Sequence, residues 1–153
     1  MNPQRIIDVC EASWDANKSD CSGFVKAVTG ALGVTTFTGD DGADSIVDKL
    51  NAAGDWTAVS PKDGSLAKAQ ADAGLLVIAG LKGADQVQPD SHGHVVIVVT
   101  GPLDLAHGKY PTAYWGRLGG VGAKAQTINF AWRAGDRDQV AYFVKSLDDP
   151  GSG

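Results

Sequence analysis

The sequence predicts an α+β domain: N-terminal helices packed on a C-terminal antiparallel sheet. Two observations carry this. Up to about Ala73 the apolar residues recur at helical spacing, and beyond Gly74 they fall in short runs bounded by glycine or polar turns. Helices first and strands second is the order of an α+β chain rather than of alternating parallel units. The 153 residues suffice to bury one core without disulfides or metals, so a single domain over residues 1–153 is expected.

The elements follow in order. Pro3 suits a first helical turn, and Ile6, Val9, Cys10 and Trp14 share one face, predicting a helix from Pro3 to Trp14. Asp20 is an N-cap, and Phe24, Val25, Val28, Ala31 and Leu32 give a second helix that Gly33 ends. Ala43, Ile46, Val47, Leu50 and Ala53 mark a third, stopped at Gly54, and Leu66 to Ala73 a short fourth. The run GLLVIAGL and the run GHVVIVVTG, from Gly93 to Gly101, read as buried strands. Tyr110 to Leu118, Thr127 to Trp132 and the alternating Gln139 to Leu147 complete the predicted strands. The helices are expected on one face of the sheet. The polar end, residues 148–153, is expected to fray.

Composition excludes several classes. A net charge of -5 provides no basic footprint for nucleic acid or an anionic membrane. No apolar run reaches the length of a membrane span. MNPQRIIDVCEASWD lacks the apolar core of a secretory signal and carries acids where a signal has none, so synthesis in the cytoplasm without a signal peptide is expected. Cys10 and Cys21, eleven positions apart, permit one bridge without requiring it.

Candidate chemistry centres on SDCSGFVKAV. Cys21 directly follows the predicted cap, where free main-chain N–H groups favour a thiolate and lower a cysteine pKa. Its own N–H is a candidate oxyanion donor. Ser22 and Gly23 leave room for substrate. A free cysteine is more often a small core residue, but polar Asp20 and Ser22 on either side point to a nucleophile. Such a nucleophile needs a base. His94 opens the run HVVIVV, where a core strand holds an imidazole rigidly. His92 lies two residues earlier in a polar loop, and His107 reads as a surface residue. No C-x-x-C pair supports zinc, and neither a metal nor another cofactor is expected.

DCSGFVKAV, then GLLVIAGLKG, then GHVVIVVTGPL at this spacing resemble the NlpC-type, papain-like cell-wall peptidases. With KYP and GDRDQVAYFVKSL, the resemblance is closest to the type VI secretion amidase effectors of the first family, over nearly the whole chain. It implies a small monomeric cysteine amidase that cuts peptidoglycan stem peptides between γ-D-glutamate and meso-diaminopimelate. It further implies injection into the periplasm of rival bacteria and a periplasmic immunity protein as partner. The family's nucleophile falls on Cys21 and its histidine on His94. Papain-like sites orient the histidine with a third polar group, expected here near Ala113 to Gly116. AYWG offers no acid, amide or imidazole, which leaves Tyr114 or a backbone carbonyl near Ala113. A cysteine pair that bridges the termini in some relatives is absent. Asp20, Ser22, Arg117 and Trp115 are the candidate substrate-binding residues. Arg117, Arg133 and Lys82 are cations able to position stem carboxylates, and Trp115 and Trp132 are aromatics able to line a groove, although each type has a blander role on the surface or in the core. Two rival readings keep other outcomes open: a thiol acyltransferase that hands the acyl group to an amine, and a wall-binding module in which Cys21 is inert.

Overall fold

A computed structural model describes residues 1–147; the expected frayed end lies outside the described residues. Four helices come first in the chain, α1 (Pro3–Asn17), α2 (Cys21–Ala31), α3 (Ala43–Ala52) and α4 (Gly64–Asp72), with the two-residue strand β1 (Thr57–Ala58) between the last two. Strands β2 (Leu76–Leu81), β3 (His94–Val98), β4 (Thr112–Trp115), β5 (Ala123–Thr127) and β6 (Ala141–Lys145) follow. All six strands pair antiparallel in the order β1-β6-β2-β3-β4-β5.

The helix starts are built as their residues require. Asn2 accepts from the N–H of Gln4 ahead of Pro3, and Asp20 and Asp63 accept from the N–H groups of Gly23 and Ser65. β2, and β3 after His94, are apolar because the sheet is covered on both faces. Leu76, Ile78, Val95, Ile97, Tyr114 and Phe143 join α1, α2 and α3 in one core. Val77, Ala79, Val96, Val98, Trp115 and Tyr142 belong to a second core with Ala67 and Ala71 of α4 and with Ile128 and Trp132. The expectation of all helices on one face is therefore corrected. Ala67 and Ala71, one helical turn apart, give α4 an apolar edge narrow enough to lie close against the opposite face.

Other differences are local. α1 continues to Asn17, whose side chain bonds back to the Ser13 carbonyl at 2.9 Å. The strand expected over Thr127–Trp132 is instead the edge strand β5 followed by a 3-10 turn, Ile128–Phe130. The N–H groups of Ala131 and Trp132 both bond the Ile128 carbonyl, so Ile128 and Trp132 face the second core together. β5 is largely exposed and weak in strand propensity; pairing to β4 selects it.

β4 is shorter than the expected Tyr110–Leu118, and its end shapes the site. It pairs with β3 at Ile97–Tyr114 and Val98–Ala113. Beyond Trp115 the chain turns to the α1–α2 junction, where the N–H groups of Arg117 and Gly122 both donate to the Lys18 carbonyl, at 3.1 and 2.7 Å. Gly116 passes so close that a Cβ there would lie 2.2 Å from the Asn17 carbonyl oxygen and 2.5 Å from that of Asp20. The start of α2 is thus seated beside the mouth between β3 and β4.

Candidate active site

Cys21 is the first residue of α2, and its side chain is only 5% exposed. Burial pushes its thiol pKa up, and the Asp20 carboxylate adds to this. The main-chain N–H groups of Val95, Ser22 and Cys21 itself act the other way, with Val95 contributing most of the three. The expected lowering by the helix start is present but outweighed, because the sulfur lies within the apolar core that α1–α3 form on the sheet. The Val95 contact ties α2 directly to the start of β3.

His94, one residue before Val95, begins β3 opposite Leu81 and is 9% exposed. Strand alternation sends it to the face opposite that of Val95. There its ring lies edge-on to two indoles, 5.1 Å between centroids for Trp132 and 6.4 Å for Trp115. Burial pushes its pKa down to about 3, and the Arg117 guanidinium adds to this. Its Nε2 has no hydrogen-bond partner among the described residues.

Cys21 and His94 line one cleft of about 390 Å³, with Arg117, Trp132, Arg133 and Asp136. A second cleft, of about 460 Å³, also touches Cys21 and is lined by Asp20, Ser22, Asp44 and Ser45 but not by His94. His92, Gly93 and Leu118 border both, so Cys21 lies where two arms of one groove meet.

The other predicted residues separate. Asp20 and Ser22 border the second arm, with Ser22 Oγ donating to the same Asp20 oxygen that caps α2. Arg117 lines the first arm, its guanidinium donating to the Phe130 and Ala131 carbonyls at 3.2 and 3.5 Å. Trp115 is 1% exposed and lines neither arm; it packs behind His94, while Trp132 reaches the cleft. Tyr114 is directed away from His94. Its neighbour Trp115 takes the His94 face, so Tyr114 falls on the other, where its hydroxyl donates to Glu11. The Ala113 main chain is paired to Val98 and Gln126. Where a third polar group was expected, the ring instead meets indoles. His92 borders both arms, whereas His107 stacks edge-on to Tyr110 outside the clefts. Lys82 pairs with Asp48 at 2.8 Å and lines neither arm. Cys10 and Cys21 are both free. Among the described residues no group of three or more His, Cys, Asp or Glu side chains is placed to hold a metal ion.

Two features escaped the sequence reading. Asp136 is buried and accepts from the Val87 N–H at 2.7 Å, fixing one wall of the first arm. The Val95 N–H at the sulfur is the other. A main-chain donor has no residue signature, and Asp136 looked like any loop acid.

The chain is 37% identical, over 154 aligned residues, to peptidoglycan amidase Tse1 of Pseudomonas aeruginosa. The alignment spans 94% of the chain and 91% of that relative. No family model matches the chain.

Proposed function

Because this chain belongs to the family of the peptidoglycan amidase Tse1, we propose that it is itself a peptidoglycan amidase, with Cys21 as nucleophile and His94 as general acid and base. The observation that supports this reading is that both residues line one cleft, each at the start of its own element. A cysteine at a helix start against a histidine at a strand start is also what supports the finer fold assignment, a papain-like NlpC-type domain over residues 1–153. In this reading the bond cut lies between γ-D-glutamate and meso-diaminopimelate. The protein acts as an injected type VI secretion toxin in the periplasm of rivals, as a monomer, with an immunity protein that blocks the groove.

The mechanism starts from a neutral pair, because burial disfavours both thiolate and imidazolium. As the sulfur–carbon bond forms, the thiol proton moves to His94, and the amide oxygen becomes an oxyanion stabilised by main-chain N–H groups at the start of α2. The carbon–nitrogen bond then breaks, and His94 returns that proton to the leaving diaminopimelate amine. A water attacks the thioester, giving one proton to His94, and the sulfur leaves with a proton from the ring. The γ-glutamyl carboxylic acid is released and the starting pair restored.

Mass analysis of purified muropeptides after incubation tests this. New γ-glutamyl and diaminopimelyl termini are expected with the native protein, and none with Cys21→Ala or His94→Ala that retain native circular dichroism. Intact muropeptides under all conditions would refute amidase activity. Transfer to an added amine in place of water would identify an acyltransferase.

A further inference from the structure

The two arms of the groove differ in charge as well as shape. The first carries two guanidinium groups, Arg117 and Arg133. The second carries Asp20 and Asp44 and no cation. What the arginines bond also matters. Among the described residues Arg117 donates to the Phe130 and Ala131 carbonyls, and Arg133 to the side-chain oxygen of Gln88. These acceptors are neutral. They fix the guanidinium groups without cancelling their charge, and neither arginine has an ion-pair partner among the described residues. Six lysines differ: Lys49, Lys68, Lys82, Lys109, Lys124 and Lys145 each pair with a carboxylate, whereas Lys26 and Lys62 donate to main-chain carbonyls away from both arms.

Among the described residues the acids in the first arm form no ion pair with either arginine. Asp136 is 4% exposed and bonds the Val87 N–H. Asp90 accepts from the N–H and hydroxyl of Ser91. A guanidinium held by neutral acceptors beside a cleft is prepared for an anion that arrives with a ligand.

The histidine gives the arms a direction. A general acid must reach the nitrogen of the departing amine. His94 lines the arginine arm and not the aspartate arm, so the leaving half of the substrate occupies the arginine arm. We propose that Arg117 and Arg133 form a carboxylate-reading site for that leaving half, and so select stems whose diaminopimelate carries a free carboxylate over stems in which that carboxylate is amidated. This rests on the amidase reading above. The aspartate arm then holds the acyl half.

The test compares kcat/KM for two muropeptides that differ only in this group, carboxylate or carboxamide. The native protein is expected to favour the carboxylate by about 10–100-fold, the scale of hydrogen bonds to charged groups. Arg117→Gln and Arg133→Gln are each expected to shrink that ratio toward one. The ratio is the readout because Arg117 also acts on His94, which affects both substrates alike. Equal use of both substrates by the native protein, or an unchanged ratio in both variants, would overturn the proposal. Binding gives a reading that does not depend on turnover: nuclear magnetic resonance titration of Cys21→Ala with diaminopimelyl-alanine and its amide. Tighter binding of the acid, with shifts at Arg117 and Arg133, is expected, and equal binding would count against the site. Tighter binding of the acid without any cleavage by the native protein would leave the carboxylate site standing and sink the amidase reading. Cleavage with equal use of acid and amide would do the reverse.

Discussion

The imidazole of His94 stands edge-on to the indole of Trp132, 5.1 Å between ring centroids and inclined at 67°. Burial disfavours its charged form, and its Nε2 has no hydrogen-bond partner among the described residues. His94 is therefore neutral at rest over the whole neutral range.

A pH dependence of stability follows. The folded pKa of His94 is pushed down to about 3 by burial, with Arg117 adding to it, while an unfolded histidine titrates near 6.5. Between these values the unfolded chain binds the extra proton, so stability falls as pH falls from about 6.5 toward 3. The paired carboxylates contribute at the lower end. The pKa values of Asp41, Asp72 and Asp138 are held below the ordinary carboxylate range by their lysine or hydroxyl partners, against the opposing effect of burial. Their contribution is lost only as pH drops through about 4 and below. Thermal melts from pH 7 to 5 should thus slope downward in the native protein and be nearly flat in His94→Gln.

The two thiols should differ in access. Burial pushes both pKa values up, but Cys21 borders a cleft whereas Cys10 is 0% exposed. Iodoacetamide should label Cys21 alone in the folded protein, with a rate that rises only at alkaline pH. Peptide mapping after labelling checks this, and rapid labelling at pH 6 would contradict the neutral resting pair.

Asp20 has two separable effects. Its side chain caps α2 through the Gly23 N–H at 3.0 Å, and its charge opposes ionisation of Cys21. Asp20→Ala should cost about 1 kcal/mol of unfolding free energy. Asp20→Asn should keep most of the cap yet shift the alkylation profile of Cys21 to lower pH. Denaturant melts and alkylation rates on the two variants separate the contributions.

Gly116→Ala should damage stability and activity together. The added methyl would overlap the carbonyl oxygens of Asn17 and Asp20, pushing β4 away from the start of α2. Overpacking of this kind costs about 1–3 kcal/mol. The unfolding midpoint and the muropeptide cleavage rate should both fall.

Much of this architecture could be read from residue order. Asp20 before an apolar helical stripe marks the start of α2, and the unbroken run after Gly74 marks a strand buried on both sides. That run also implies that something covers the second face, but Ala67 and Ala71 of α4 are too small to stand out in the sequence as an apolar stripe. β1 has only two residues, too few for alternation to show. That Cys21 and His94 line one cleft was legible because each opens its own element. The surroundings of the histidine were not. They depend on β4 register, which turns Trp115 toward the ring and Tyr114 away from it, and on a 3-10 turn that brings in Trp132.

Cys10 and Cys21 are free, and the fold is closed by apolar packing on two sheet faces. No covalent crosslink between cysteines holds the described chain together. Its folding requires no thiol oxidase or disulfide isomerase, and the same structure should be reached in reducing and oxidising surroundings. A melt with and without dithiothreitol should give one curve.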